Sequence, residues 1–433
     1  MAMISPFRAW RYDGGQVPIR QVVTQPYDKI TSAMQESYYQ ASRYNLVRII
    51  LGKRGEADTG SENVYTRAAA SFSEWRRSGV LRQDAEPSLY RYSQKFAVPG
   101  SGREAERRGF IALGRIEEYS AGVVFRHEQT LAKPKADRLD LLRATRAHFG
   151  QLFMLYNGGG KAEALLDSSS HGGADIEVTD EYDVVHRVWK VADPGIIASV
   201  QEQMRDQKLV IADGHHRYET ALAYRNERRQ AASSDGPAPY DHVMMTFVDM
   251  DLPGLVILPT HRAVFGLPDP KVSSFANEVR RFFNVEEIDP GVDAGRATAI
   301  LQRAGFAGTA LLAVTRERAL LLHTPKPVGE AIFGNLSLRQ QGLDVVQLHK
   351  CLLEGCLEIS EEAIRDQQNV VYLRETAEAL AQVREGRMQM VFLMNPVRMK
   401  EVRDIALAGE VLPQKSTDFY PKLLSGLTIY ALE

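Results

Sequence analysis

The densest grouping of reactive side chains in the 433-residue chain is Asp213-Gly214-His215-His216-Arg217. It follows the apolar run Leu209-Val-Ile-Ala212 and leads directly into Tyr218–Arg225, which has an amphipathic helical pattern. A buried strand, a glycine that permits a tight turn and a helix entered at once present unpaired N–H groups and the positive end of a helix dipole at one corner. His215, His216 and Arg217 add donors there, and arginine grips phosphate in bidentate fashion. The chemistry this predicts is phosphate binding. Asp213, the lone anion, would orient a histidine or hold a metal beside phosphates. The plainer alternative makes Asp213 a helix N-cap and the histidines surface residues. Adjacent histidines on a helix diverge, so the pair is a poor joint ligand for one metal.

A second candidate is Arg126-His127-Glu128-Gln129-Thr130. It begins like a zinc-protease helix, but Leu131 stands where the second histidine belongs, so that motif fails. Glu128, at the end of the apolar run Gly122–Phe125, suits either a general base or a surface carboxylate. Lys415-Ser416-Thr417 resembles the end of a phosphate-binding loop without its glycines, and Pro413 and Pro421 bracket it as a rigid, donor-rich segment. Thr260-His261-Arg262 follows the strand-like run Leu255–Leu258 and could join a phosphate site. Asn157-Gly-Gly-Gly-Lys161 lacks a Ser or Thr after its lysine and reads as a flexible loop. Cys351 and Cys356 have neither zinc-site spacing nor a histidine pair, and read as buried thiols of a reducing cytosol.

The elements that must position these residues alternate short strands with helices, which predicts mixed α+β structure. Met1–Tyr12 reads as a first strand. Val64–Arg77 reads as a helix with Phe72 and Trp75 on its apolar side, and Leu89–Val98 with Gly109–Ile116 as a hairpin around a polar tip. Arg107-Arg108 and Arg228-Arg229 read as solvated faces. Polar breaks fall at Glu56–Ser61 and Gln230–Pro239. Further on, Val272–Phe283 reads as a helix, Thr309–Thr324 as two strands around a charged turn, and Leu343–Leu357 as an apolar helix whose Asp344 suits the positive dipole end. No repeat or low-complexity tract is evident. The change of character near residue 265 predicts a catalytic, phosphate-binding α+β domain over 1–265 and a C-terminal α/β domain over 266–433. The loop at Lys415 is expected to return to the site.

Composition narrows the function classes. With 44% hydrophobic and 25% charged residues the chain is long enough for two or three packed units. Its 53 Lys and Arg nearly balance 55 Asp and Glu. That balance argues against a nucleic-acid partner, which usually demands a strong basic excess. No apolar run reaches the length of a membrane span, and the start lacks a signal pattern. A cytoplasmic enzyme without membrane association is expected.

Read together, Pro26-Tyr27-Asp28, His127-Glu128-Gln129-Thr130, Asp137-Arg138, Ile211–Tyr218, Pro259–Arg262, Leu343-Asp344 and Pro413–Thr417 resemble the family catalogued as domain of unknown function 1015 from end to end. Two of these motifs also resemble the free serine kinases, which have a ParB/sulfiredoxin-like fold. In those kinases a His-Glu-Gln segment supplies a catalytic Glu and a later Asp-Gly-His-His-Arg segment holds nucleotide phosphate. The order here is the same, but the spacing is wider and Arg126 replaces a proline. The resemblance implies a mixed-sheet catalytic unit using ATP or ADP, with Mg²⁺, to phosphorylate a hydroxylated metabolite such as serine. Glu128 would be the base, with His127 and Asp213 beside it. Gly214, His215, His216 and Arg217 would hold phosphate, helped by Lys415, Ser416 and Thr417. A phosphoester or nucleotide hydrolase and a nucleotide-gated ParB-like interaction protein are the alternatives from other classes.

Overall fold

A computed structural model describes residues 1–128, 132–169, 172–232 and 236–433, without the side chains of residues 132–134 and 330. Of the motif around Glu128, Gln129 and Thr130 lie outside the described residues, as does Leu131. The chain forms two compact units: Met1–Arg126, Thr130–Val256 and Pro421–Glu433 make the first, and His127–Gln129 with Ile257–Tyr420 the second. The division of the main chain thus falls between Val256 and Ile257, and the last thirteen residues join the first unit.

The first unit is built on a nine-stranded mixed sheet. Its strands in chain order are β1 (Ile4–Ser5), β2 (Leu89–Ala97), β3 (Glu104–Arg115), β4 (Val124–Phe125), β5 (Leu152–Tyr156), β6 (Ile176–Thr179), β7 (Val185–Val191), β8 (Leu209–Asp213) and β9 (His242–Asp249). The spatial order is β4-β8-β5-β9-β3-β2-β7-β6, with β1 paired to β3. The pairs β8–β4 and β9–β5 are parallel, and the others are antiparallel. All five residues of β5 are buried. A strand covered on both faces reads as a continuous apolar run, and each large side chain so buried contributes about 1.5–3 kcal/mol. Leu152, Met154, Leu209, Ile211, Tyr218 and Met245 meet in one core on this sheet. A second core in the same unit joins Phe72 and Trp75 of helix α1 (Val64–Arg77) to Leu141, Phe149 and Ile429.

Several sequence expectations are corrected here. Met1–Tyr12 holds two short strands, β1 and Trp10–Tyr12, in different sheets. The hairpin forms, but its second strand begins at Glu104, inside the stretch expected as a polar tip. Arg107 therefore points inward and is 2% exposed, not solvated. It hydrogen-bonds to Gln94 Oε1 (Nε, 3.0 Å) and to Pro421 O (2.5 Å), and lies 4.5 Å from the Phe153 ring. Burial pulls its pKa down to about 10. Arg108, one residue on, faces outward and meets Asp167 at 3.0 Å. Alternation along a strand separates the two neighbours, which counting charges does not. Arg229 likewise pairs with Asp241.

The second unit carries a six-stranded sheet whose pairs are all antiparallel. Its strands are β10 (His261–Val264), β11 (Phe283–Ile288), β12 (Ala310–Val314), β13 (Ala319–Pro325), β14 (Val370–Leu373) and β15 (Met390–Met394), in the order β11-β13-β12-β15-β10-β14. The core gathers Ala263, Leu301, Leu312, Leu321, Leu380 and Val391. The expected helix at Val272–Phe283 starts earlier, at Asp269, and closes at Glu278, leaving Phe283 to begin β11. Leu343–Leu357 is not one α-helix: a single turn at Asp344–Gln347 passes into a π-helical stretch, Leu348–Glu354. Asp344 is buried enough to raise its carboxyl to about 7, so burial outweighs the dipole that the sequence suggested. Cys351 and Cys356 are buried free thiols, each raised to about 12 by burial.

Candidate functional site

In the first unit, β8 runs buried as far as Ala212 and delivers Asp213 at its end. The pairing of β8 with β5 slips between Ile211 and Asp213, leaving Ala212 as an extra residue. A bulge of this kind re-aims the side chain that follows it. Gly214 then takes φ +95°, a left-handed conformation. A Cβ there would come within 2.9 Å of Leu152 Cδ2 and 3.0 Å of an Arg217 nitrogen, so both backbone angle and space call for glycine. Helix α2, named here for His215–Ala231, follows at once. Asp213 does not cap it. Its carboxylate instead accepts from Arg217 Nη2 at 2.8 Å and lies 3.4 Å from Lys422 Nζ.

Burial alone would raise Asp213. Lys422, Arg217, Lys29 and His215 outweigh that cost and hold it well below the ordinary carboxylate range. Four basic side chains thus act on one carboxylate. Arg217 also donates through Nη1 to the Gln151 carbonyl, which keeps one edge of its guanidinium fixed. The main chain that brings Lys422 here is itself clamped. Gln94 Nε2 donates to Lys422 O at 2.8 Å, and Arg107 holds Pro421 O.

Arg217 opens on a cleft of about 620 Å³, counted out to open solvent. Tyr27, Arg138, Phe149, Leu141 and Thr220 are among its walls. Arg138 lies 4.2 Å from the Tyr27 ring and donates to Ile50 O at 2.6 Å. Burial, and after it Asp28, raises Tyr27, while Arg217 and Arg138 pull against them. Three stretches that stood far apart in the sequence, at Tyr27, Arg138 and Arg217, therefore line one cavity.

The other candidates gather in the second unit. His127 is fully buried and its Nε2 lies 2.8 Å from Thr417 Oγ1. Leu412 N donates to His127 O at 2.8 Å, and Glu128 pairs with Leu412 as an isolated bridge. Glu128 Oε1 accepts from the Lys415 backbone N–H at 3.1 Å. Ser416 Oγ donates to Pro413 O. Arg262, 0% exposed, donates to Lys415 O at 3.1 Å, to Thr260 O and to Met394 Sδ. Burial lowers Arg262 to about 10, against the pull of Tyr372 and Glu128. The residues expected to share one site thus fall in two groups, Asp213, Gly214, His215, His216 and Arg217 in the first unit and His127, Glu128, Lys415, Ser416 and Thr417 in the second.

Sequence reasoning missed Lys422, Lys29, Arg107 and Gln94, and held Arg262 in reserve. Lys422 directly follows Pro421, and nothing local distinguishes its ammonium from that of Lys415. Asn157–Lys161 is also corrected. Far from a loose loop, it is tied by Gly158 N and Gly160 N to Asp249 (3.1 and 2.7 Å) and by Gly159 N to Asp251 (3.2 Å). Among the described residues no group of three or more His, Cys, Asp or Glu side chains could hold a metal. No helix of the described residues is long and apolar enough to cross a membrane.

The chain belongs to the family described as Protein of unknown function (DUF1015), whose model matches residues 4–346. Lys415 and Lys422 lie past the matched span. No curated protein matches the sequence. Solved structures that resemble it include a conserved hypothetical protein from Pyrococcus furiosus, 13% identical over 71% of this chain and 91% of that one, with a TM-score of 0.35. A free serine kinase in complex with AMP is 13% identical over 70% of this chain and 89% of its own, at 0.34. SbnI with a C-terminal truncation, from Staphylococcus aureus, is 11% identical over 74% and 87%, at 0.35.

Proposed function

We propose that the chain is a nucleotide-dependent phosphotransferase acting on a small hydroxylated metabolite, with free serine as the first acceptor to test. The observation that carries this reading is the convergence of Lys422, Arg217, Lys29 and His215 on the Asp213 carboxylate, beside the cleft that Arg217 lines. Donors already gathered on one anionic group are placed to meet phosphate oxygens as well. Phosphoryl transfer asks a protein chiefly for positioning and for neutralising charge on the transferred group. In this reading Gly214 lets the chain turn closely, Arg217 and Lys422 meet phosphate oxygens, and His215 and His216 add donors. Asp213 keeps Arg217 and Lys422 oriented when no phosphate is bound. Glu128 is the general base, on the strength of its motif. As a Mg²⁺ site the corner fits poorly, because its one carboxylate is already surrounded by cations, and no step here runs through a metal.

A thermal-shift screen of ATP, ADP and AMP, with serine and related hydroxy acids added afterwards, tests the reading. A ligand that binds only the folded state at about 100 times its Kd adds roughly 2.7 kcal/mol. The expected result is stabilisation by a nucleotide that disappears in Arg217→Ala. A chain that no nucleotide stabilises would overturn the kinase reading. With an acceptor in hand, Glu128→Gln should lower kcat by about 10²–10⁴ while nucleotide affinity stays put. Unchanged turnover would remove Glu128 from the role.

A further inference from the structure

The segment Leu412–Thr417 carries lysine, serine and threonine side chains, yet in the second unit Leu412 and Lys415 meet the Glu128 motif through their backbone amides. Leu412 N bonds to His127 O, and Lys415 N bonds to Glu128 Oε1. The Lys415 side chain is exposed, while the residue itself holds φ +58°, a left-handed angle that a side chain other than glycine's disfavours. Something must hold it there. The Lys415 carbonyl accepts from Arg262 Nη2 at 3.1 Å, and Arg262 is wholly buried beneath it, 5.2 Å from the Tyr372 ring. The Ser416 hydroxyl closes the turn on Pro413 O, and Thr417 is fixed by His127.

From this geometry we infer that Lys415 acts through its backbone amide, which Arg262 positions so that it holds the Glu128 carboxylate, and not through its ammonium. The inference rests on the reading of Glu128 as the base. An amide on Oε1 fixes the orientation of the carboxylate, so the base meets its substrate in one geometry. Arg262 is then a positioning residue, acting on Glu128 through the Lys415 carbonyl that it holds. Its planar fork satisfies Thr260 O and Lys415 O together, a geometry lysine cannot supply.

The test uses the full chain and three variants, Arg262→Lys, Lys415→Gly and Glu128→Ala. Hydrogen exchange of the residue-415 amide is read first, because it needs no substrate. Arg262→Lys and Glu128→Ala should each speed that exchange by about tenfold or more, since each removes one end of the clamp. Lys415→Gly, which accepts a positive φ, should keep the amide protected. Unchanged exchange in Glu128→Ala, or in a folded Arg262→Lys, overturns the inference. So does an amide as exposed in Lys415→Gly as in Glu128→Ala. Should Arg262→Lys fail to fold, Glu128→Ala and Lys415→Gly still decide. Turnover is the second readout: Arg262→Lys should lose at least about tenfold more kcat than Lys415→Gly, with the nucleotide KM unmoved in both. Equal losses in those two variants also overturn the inference. If the exchange results hold while Glu128→Gln turns over normally, the base reading is what has failed.

Discussion

The first unit contains two glycine turns that feed helices, and they handle charge in opposite ways. At Asn157–Lys161, Gly159 and Gly160 sit at φ +62° and +74°, and the amides of the loop converge on Asp249, which is 0% exposed. This is an anion nest that the protein has filled with its own carboxylate. At Asp213–Arg217 the protein's carboxylate faces cations, and the corner opens on a cleft. Glycine content alone would favour the first as a phosphate site. The deciding feature is what the rest of the fold places at the turn: an internal acid in one case, a group of bases in the other.

The hardest test of this contrast is Asp249→Ala. It leaves the Gly158, Gly160 and Asp251 amides without their acceptor in a buried place. The cost should be roughly 3–5 kcal/mol in urea unfolding, since each buried donor left unpaired costs about 1–3 kcal/mol. Whatever nucleotide stabilises the wild type should still raise the variant's own Tm. A folded Asp249→Ala that no longer responds to nucleotide would transfer the phosphate role to the triple-glycine loop and undo the comparison.

The next effect concerns Glu163, on the helix that follows the triple-glycine loop. It is buried and accepts from Tyr156 Oη at 2.8 and 2.9 Å. Burial, then the nearby Asp249, raises its pKa to about 7, against the Tyr156 hydrogen bond. A carboxyl raised in this way is protonated in both states below about 4.5. As pH climbs from there to about 7 the unfolded chain releases a proton that the folded chain retains, so stability falls; above 7 it levels off. At about 1.4 kcal/mol for each unit the loss is on the order of 3 kcal/mol. Glu163→Gln keeps a partner for Tyr156 and should therefore match wild type at pH 4 and exceed it at pH 8. Parallel pH profiles for the two proteins would show that Glu163 is not held protonated. Asp213 has the opposite sign: its depressed pKa lends stability above the ordinary Asp range, which is lost as acid titrates it.

Features set by local pattern were legible in the sequence. Val64–Arg77 is helical with Phe72 and Trp75 inward, and Leu209–Asp213 runs into His215–Ala231 through Gly214, because side-chain period and glycine conformation act over a few residues. Lys422 beside Asp213 was not legible, since 209 residues separate them and only the clamp of Gln94 and Arg107 on the chain brings the two together. Arg107 was misread because a charged pair looks the same in sequence whether a strand turns one member inward or not. The bulge at Ala212 has no sequence signal of its own; it shows only when β8 is laid against β5. The contact of Glu128 with the Lys415 backbone was not legible, because the loop was read by its side chains and a turn's φ is set by its partners, here Arg262.

The smallest of these effects falls on Gly214. Alanine there would have to hold φ +95°, and its methyl would meet Leu152 Cδ2 at 2.9 Å and the Arg217 guanidinium at 3.0 Å. A strained backbone angle of this sort costs about 1–3 kcal/mol. Leu152 belongs to a fully buried strand and can shift only slightly, whereas the Nη2 edge of Arg217 can turn about its bond to Gln151 O. The guanidinium should therefore give way, breaking its bond to Asp213 and leaving Lys422 as the principal partner of that carboxylate. Gly214→Ala should fold, lose about 1–3 kcal/mol, and weaken nucleotide binding beyond what the stability loss alone explains. Gly159→Ala makes the matching control, for it also sits at positive φ but meets open space. It should cost a similar amount of stability and leave nucleotide binding alone. Equal binding losses in the two variants would mean that backbone strain, not the guanidinium, governs affinity, and the contrast between the turns would have to rest on Asp249 alone.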